Sequence, residues 1–236
     1  MKDNNKIKVI NKKVDIKKSI EEIETGTFYI NKWRKYFKLT PYKIAILATV
    51  LALNIVLSAF SAFALTPLVI GGFLRVEISF LTYIIAWKLV NGFYSLLLVI
   101  PATWLRYVGV DPNAEPIGLL TMNLSDLFAL SFFILVSNLL NMKKEHTGKM
   151  KIYIKYIFAA VVVSISTGFF NILINFTFIL DMYSEYMGVE AIKALKTYSF
   201  ASVLIFFNFI KYVTNFWLFL TFYETINIIY KKSIFS

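Results

Sequence analysis

The chain has 236 residues, 58% of them hydrophobic, and a formal net charge of +11. Soluble domains contain only about 45–50% apolar residues, so we expect this chain to be solvated by lipid. The absence of cysteine excludes disulfides and thiolate sites, and the single histidine, His146, disfavours a histidine triad or a histidine metal site. The carboxylates in or beside the apolar segments, Asp126 and Glu224, belong to different segments near opposite sides of the membrane, so no acid–base pair is expected. We therefore expect neither an enzyme nor a metal or cofactor protein.

Six apolar segments follow a basic N-terminal region. Residues 1–41 are polar and are expected to form a cytoplasmic extension, and residues 42–232 a single transmembrane domain. A transmembrane helix needs about 20 mostly apolar residues. The expected spans are residues 42–63, 78–89, 93–108, 119–141, 152–180 and 198–230. The sequence thus predicts an all-α membrane protein, a bundle of about six transmembrane helices.

The basic residues flank the apolar segments, as the positive-inside rule requires. Twelve of the 25 Lys and Arg lie in residues 1–43, five in residues 143–155 and two at residues 231–232. With the N-terminus inside, 20 of the 25 lie on the inner side and four, including Arg75 and Arg106, on the outer side. This distribution predicts a multi-pass cell-membrane protein with both termini in the cytoplasm. It also explains the positive charge without nucleic acid.

Lys211 stands within the last apolar segment, where a charge costs free energy and usually marks function. Asn208 and Asn215 lie three residues before it and four after it, on the same helix face. Asn171 and Asn175 share a face of the fifth segment in the same way. The fourth segment carries polar residues near its expected outer end, namely Asn123, Ser125 and Asp126.

These amides and the single cation favour a binding site for a planar heteroaromatic ligand, because amides satisfy ring N–H and C=O groups and aromatic faces stack. The aromatic residues considered for that stacking are Phe176, Phe206, Phe207, Phe209 and Tyr212. Two alternatives remain open at this stage. The amides can serve only as helix-to-helix hydrogen bonds, and Lys211 can extend its ammonium group to the membrane interface.

Two further features of the sequence indicate whether the chain needs partner proteins. Ala48 and Ala52 form a small-xxx-small face on the first segment that permits close approach of another helix, although internal packing explains it equally well. The chain contains no G-x-x-x-x-G-K-[ST] phosphate loop, so it does not hydrolyse ATP itself. Active uptake of a solute would require separate energising subunits.

Four stretches of the chain resemble the S components of energy-coupling factor (ECF) vitamin transporters, and among these the riboflavin-specific subunits. The resemblance covers about residues 43–230. The matching stretches are residues 48–52, residues 74–80, residues 115–118 with Met122 and Asn123, and residues 173–176 with Met182, Tyr183, Met187, Gly188 and residues 207–211. The Asn-x-x-Lys pattern of Asn208 and Lys211 is the most specific of these features.

The resemblance implies a substrate-binding subunit of a vitamin importer. Its implied ligand residues are Asn123, Asn175, Asn208 and Lys211, and its implied docking residues are Ala48 and Ala52. The implied partners are an ECF transmembrane coupling subunit and two ATPase subunits, and riboflavin is substrate rather than cofactor. Thr82 and residues 88–92 depart from the proline and the Phe-Gly-Pro turn of that family. The cargo therefore stays open between riboflavin and folate, thiamine or a nucleobase-like precursor, with a non-transporting scaffold as a further alternative.

Overall fold

A computed structural model describes residues 33–34, 36–65, 76–109, 114–142 and 149–234. These ranges contain helices and connecting segments but no strand, as expected for an all-α protein. The chain divides into a unit of residues Met1–Thr40 and a unit of residues Pro41–Ser236. Most of the predicted N-terminal extension lies outside the described residues and stays a prediction.

The described residues of the second unit are mostly helical. The α-helices are α1 (Pro41–Ala64), α2 (Phe80–Leu89), α3 (Gly92–Trp104), α4 (Pro116–Leu139), α5 (Lys149–Ile174), α6 (Leu180–Met187), α7 (Tyr198–Thr221) and α8 (Tyr223–Ile234). Proline at the first position starts α1 and α4, where its missing N–H is not needed. Thr197 caps α7 by accepting a hydrogen bond from the Phe200 amide.

Among the described residues, four stretches are long and apolar enough to cross a membrane. They are Pro41–Ala64, Pro116–Leu139, Met150–Met187 and Tyr198–Thr221. The third is continuous because a π-helical segment, Asn175–Ile179, joins α5 to α6. The structure therefore indicates a membrane protein, while the count of six spans stays a prediction.

The predicted second and third spans are short helices, α2 and α3, which form a hairpin. At ~1.5 Å per residue they are about 15 and 20 Å long, less than the ~30 Å hydrocarbon core of a bilayer. Asn91 makes the turn between them, and its side chain accepts a hydrogen bond from the Tyr94 amide at 2.9 Å. Nine of the ten residues of α2 are buried, so this helix is packed in protein on nearly all sides.

A non-helical stretch precedes α2, and we call residues 76–79 the pre-helix segment. α2 packs against the second half of α7, so the pre-helix segment at the start of α2 lies deep in the bundle. Asn215, which contacts this segment, is about 26 Å from the start of α7, at ~1.5 Å per residue. Non-helical backbone at such depth requires hydrogen-bond partners from the protein. Side chains of α1 and α7 supply several of these partners, as described below.

The closest helix packing occurs between the antiparallel helices α5 and α7. Gly168 permits it, because a Cβ at this position would lie 3.1 Å from the Ile205 Cα. Further along the bundle, aromatic side chains from α2, α4, α5 and α7 fill the core. Those that are essentially inaccessible are Phe80, Tyr83, Trp87, Phe133, Tyr156, Tyr212, Phe216 and Phe219.

The predicted last span, residues 198–230, is interrupted in the structure. α7 ends at Thr221, and α8 begins at Tyr223 after a turn at Phe222. Lys88, at the end of α2, is buried between this turn and α8, with its Nζ 5.5 Å from the ring centre of Tyr223 and 4.6 Å from that of Tyr230. The helix breaks where the sequence becomes more polar, so the spanning part is shorter than predicted.

Candidate functional site

Lys211 forms an ion pair with Asp126 in the interior of the bundle. The Lys211 Nζ lies 2.8 Å from the Asp126 Oδ1, and the Tyr212 hydroxyl donates to the same oxygen at 2.9 Å. Asp126 is fully buried and Lys211 is 5% exposed. Lys211 therefore does not extend to an interface, since its charge is neutralised inside the protein.

A chain of hydrogen-bonded side chains lies beside this ion pair. The Ser125 hydroxyl donates to the Asn171 Oδ1 at 2.5 Å, and the Asn171 Nδ2 donates to the Asn208 Oδ1 at 2.7 Å. Ser125 is next to Asp126 on α4, and Asn208 is one turn before Lys211 on α7. The two sets form one buried polar cluster across α4, α5 and α7, which we call the central cluster: Ser125, Asp126, Asn171, Asn208, Lys211 and Tyr212.

The four ligand residues predicted from the sequence are all buried, but they do not hold equivalent positions. Asn208 and Lys211 belong to the central cluster. Asn175 is one turn after Asn171 of α5, and its Nδ2 donates to the Asn171 carbonyl of the same continuous helix at 2.8 Å. Asn123 shares a face of α4 with Asp126, yet its Nδ2 is directed to the Val99 carbonyl of α3, 3.4 Å away. The structure thus places two of the four, Asn208 and Lys211, in the central cluster, whereas Asn175 and Asn123 bond backbone carbonyls.

Asn175 occupies the first position of the π-helical segment. A π turn shifts the helix register by one residue, and such turns are frequently found at functional sites. Thr177 in the same turn donates to the carbonyls of Leu173 and Ile174, at 2.8 and 3.2 Å. The register shift is therefore stabilised locally, next to the central cluster.

A second buried ion pair joins Arg106 to Glu77. Arg106 Nη1 binds the Glu77 carboxylate, and Arg106 Nη2 donates to the Ser79 Oγ at 2.8 Å and to the Asn54 Oδ1 at 3.3 Å. The Met122 sulfur also lies 2.9 Å from Nη1. We call these five residues the arginine cluster. Arg106 is 2% exposed and Glu77 8% exposed.

Arg106 was counted from the sequence among the charges on the outer side of the membrane. The structure shows that it is buried and that its charge is paired with Glu77, so it is not a solvent-exposed loop charge. An opposite charge and several hydrogen bonds compensate for the loss of water around the guanidinium group. The signal that could have found the pair is the presence of one acid and one base beside two short apolar segments, because such charges are usually paired.

Asn215 connects the two clusters. Its Nδ2 donates to the Glu77 carbonyl at 2.7 Å and to the Lys211 carbonyl at 2.8 Å, and its Oδ1 accepts from the Leu81 amide at 2.8 Å. On α1, Asn54 donates to the Ser79 carbonyl at 3.1 Å. Amide side chains thus bind the pre-helix segment from two sides. They provide hydrogen bonds that a regular helix or strand would otherwise give to its backbone.

Only some of the aromatic residues considered for stacking face the interior. Phe207 and Tyr212 are buried, whereas Phe206 is 60% exposed and Phe209 36% exposed on the surface of α7. Phe176 is partly buried, and its ring stacks with that of Phe200 at a centroid distance of 6.5 Å. The interpretation that Phe206 and Phe209 line an interior site is wrong, because they project from the opposite face of α7.

The predicted docking residues Ala48 and Ala52 are exposed on α1. Larger exposed side chains continue along α1, including Val56 and Phe60. Since apolar side chains also face outward on α3 and α5, exposure alone does not separate a docking face from a lipid-facing surface. The assignment of Ala48 and Ala52 to a partner stays a prediction.

In the described part of the chain, no group of three or more His, Asp or Glu side chains is arranged to hold a metal ion. Comparison of the chain with protein-family models, with curated proteins and with solved structures finds no match. The chemistry of the two buried clusters is therefore the main indication of what the protein does.

Proposed function

We propose that this chain is the substrate-binding subunit of an ECF-type vitamin importer and that it binds riboflavin or a related flavin from outside the cell. In this proposal it is a multi-pass cell-membrane protein with six spans, α2 and α3 included, and both termini in the cytoplasm. The observation that carries the proposal is the central cluster, where Asn208 bonds Asn171 and Lys211 pairs with Asp126 in the interior of the bundle.

The chemistry of the cluster suits a heteroaromatic ligand. Side-chain amides both donate and accept hydrogen bonds, as the ring N–H and C=O groups of a flavin do. A ligand that enters between α4, α5 and α7 would replace the hydrogen bond between Asn171 and Asn208. Each amide would then bind a polar group of the ligand instead. The amides are thereby never left unsatisfied, because they bind one another before the ligand arrives. Asn123, on the same face of α4 as Asp126, adds a further amide at the edge.

The proposed transport cycle needs partners, because the chain contains no ATP-binding phosphate loop. Captured vitamin would be delivered when the loaded subunit docks on a transmembrane coupling subunit through the α1 face at Ala48 and Ala52. Two separate ATPase subunits would then reorient the subunit and release the vitamin inside. The exposed, small side chains of this face support close approach of another helix.

The test is flavin binding by the purified, full-length protein in detergent. We expect co-purified flavin absorbance and, for stripped protein, stoichiometric quenching of riboflavin fluorescence. Asn208→Ala should weaken that binding at least tenfold, about 1.4 kcal/mol, because Asn208 is central to the cluster. Ser202→Ala is the matched control on the same helix, since this exposed hydroxyl bonds only the Tyr198 carbonyl in the described structure, at 3.0 Å, and should leave binding unchanged.

Failure of a folded sample to bind riboflavin would reject the flavin assignment. Saturable binding of folate, thiamine or a nucleobase by that sample would support the same subunit type with another cargo. If a folded protein binds none of these and tolerates loss of Asn208 and Lys211, a membrane scaffold becomes the better interpretation.

A further inference from the structure

We infer that Asp126 determines the charge selectivity of the proposed ligand site: by neutralising Lys211, it restricts the site to ligands without net charge. This inference rests on the proposed function and deepens it. It assigns a role to a residue that the sequence analysis noted as polar but did not place in the site.

The ion pair leaves Lys211 with little free charge to offer. Its ammonium group lies 2.8 Å from the Asp126 Oδ1, and both side chains are buried. Charges at this separation in a protein interior largely cancel for any third charge that is farther away. A ligand that reaches the pair therefore meets a dipole with hydrogen-bonding capacity instead of a cation.

The neighbouring buried charges, Arg106 and Glu77, also neutralise each other. In the described ranges, the buried charged side chains are Glu77, Lys88, Arg106, Asp126 and Lys211. Lys88 lies apart, against the rings of Tyr223 and Tyr230 near α8. The other four form two neutral pairs linked by Asn215. An anionic ligand at the central cluster would thus bring an uncompensated charge into an apolar interior, which is strongly unfavourable.

The second carboxylate oxygen of Asp126 points to the kind of neutral ligand. Asp126 Oδ2 is buried and has no hydrogen-bond partner in the described part of the chain, while Oδ1 accepts from both Lys211 and Tyr212. A buried acceptor without a partner is unfavourable. An N–H or O–H group of a neutral ligand would satisfy it, whereas a phosphate or carboxylate group would be repelled by it.

The experiment compares two ligands that differ by one phosphate group, riboflavin and riboflavin 5′-phosphate, on the full-length protein in lipid nanodiscs. Affinities are measured by fluorescence quenching for the wild type, Asp126→Asn and the double variant Asp126→Asn/Lys211→Met. The measured quantity is the affinity for the phosphate ester divided by that for riboflavin. A purely structural role of Asp126 would change both affinities together and leave this ratio unchanged.

We expect the wild type to prefer riboflavin. Asp126→Asn keeps the shape of the side chain but leaves Lys211 unbalanced, so the ratio should rise at least tenfold, about 1.4 kcal/mol. Removal of the ammonium group in the double variant should return the ratio to near the wild-type value. Asp181→Asn is the matched control, because it removes a negative charge from an exposed pair with Lys196. It should change the ratio less than twofold.

The outcomes separate this inference from the proposed function. A folded wild type that binds neither flavin rejects the flavin assignment of the proposed function, and the inference with it. A wild type that binds the phosphate ester as tightly as riboflavin overturns the charge selectivity, and this result does not depend on whether any variant folds. An unchanged ratio in folded Asp126→Asn overturns the role of Asp126 while leaving flavin binding intact.

Discussion

Lys211 and Asp126 are each compatible with the interior of the bundle only because the other is present. Transfer of an isolated ammonium or carboxylate group from water into an apolar environment is strongly unfavourable, and a close partner offsets much of that cost. The Tyr212 hydroxyl adds a hydrogen bond to the carboxylate. Any variant at one of the two positions therefore tests stability and ligand binding together.

A double-mutant cycle at this pair separates the two effects. We expect Lys211→Met and Asp126→Leu each to lower the free energy of unfolding by about 3–5 kcal/mol, because each leaves the other charge buried without its partner. The double variant should be more stable than either single variant. The measurement is denaturant or thermal unfolding in detergent micelles, and strictly additive losses would show that the two charges are not energetically coupled.

The same cycle sharpens the role of Lys211 in binding. If Lys211 contacts the ligand, the folded double variant should still bind riboflavin more weakly than the wild type. Wild-type affinity in that variant would remove Lys211 from the proposed site and leave it a structural ion-pair partner of Asp126.

Among the structural elements, the pre-helix segment is the one that depends most on side chains from elsewhere. The Ser79 carbonyl accepts from the Thr82 amide of α2 at 3.0 Å, and Asn215 and Asn54 provide further hydrogen bonds to the backbone of the segment. Ser61 adds another, since its Oγ accepts from the Ile78 amide at 3.3 Å. The position of α2, and with it the arginine cluster, follows from these contacts between α1, α7 and four non-helical residues.

Asn215→Leu should therefore destabilise the protein by more than a typical helix contact. The change removes the partners of the Glu77 carbonyl and the Leu81 amide, and each buried group left unsatisfied costs about 1–3 kcal/mol. Thr221→Ala is the control on the same helix, because its exposed hydroxyl bonds only the Trp217 carbonyl in the described residues. The measurements are unfolding in detergent and hydrogen exchange at the Leu81 amide, which should become faster. An unchanged exchange rate would contradict the assigned role of Asn215.

In the whole molecule, charge is distributed differently in the interior and in the segments that flank the apolar helices. The interior charges near α7 form neutral pairs, while most of the basic residues lie in the flanking segments. In the proposed orientation the basic segments face the cytoplasm, as the positive-inside rule favours. Arg106, one of the four charges counted on the outer side, is buried and paired with Glu77, so it does not weaken the proposed asymmetry.

The proposed orientation can be tested by cysteine labelling, because the natural chain has no cysteine. We expect Glu190→Cys, in the connection between α6 and α7, to react with an impermeant maleimide on intact cells. Ser236→Cys should react only after permeabilisation, since the C-terminus is proposed to be cytoplasmic. Labelling of residue 236 on intact cells would reject this topology and change the side from which the ligand enters.

The sequence by itself determined the features that depend on composition and spacing. A 58% hydrophobic chain needs lipid around it, and apolar runs of sufficient length must satisfy their backbone as helices. Helical spacing likewise placed Asn208, Lys211 and Asn215 on one face. The all-helical fold of the described residues and the shared face of these three side chains are confirmed, because both depend on neighbouring residues along one helix.

Only the tertiary structure decided which polar groups meet. Asp126 and Lys211 are 85 residues apart in the sequence, and Asn215 is 138 from the Glu77 carbonyl that it binds. No local pattern distinguishes a buried Arg106 from a surface one, because the difference lies in the partners Glu77, Ser79 and Asn54 that other elements bring to it. The balance of charge in the interior is a property of these long-range contacts, and the selectivity proposed for the site follows from that balance.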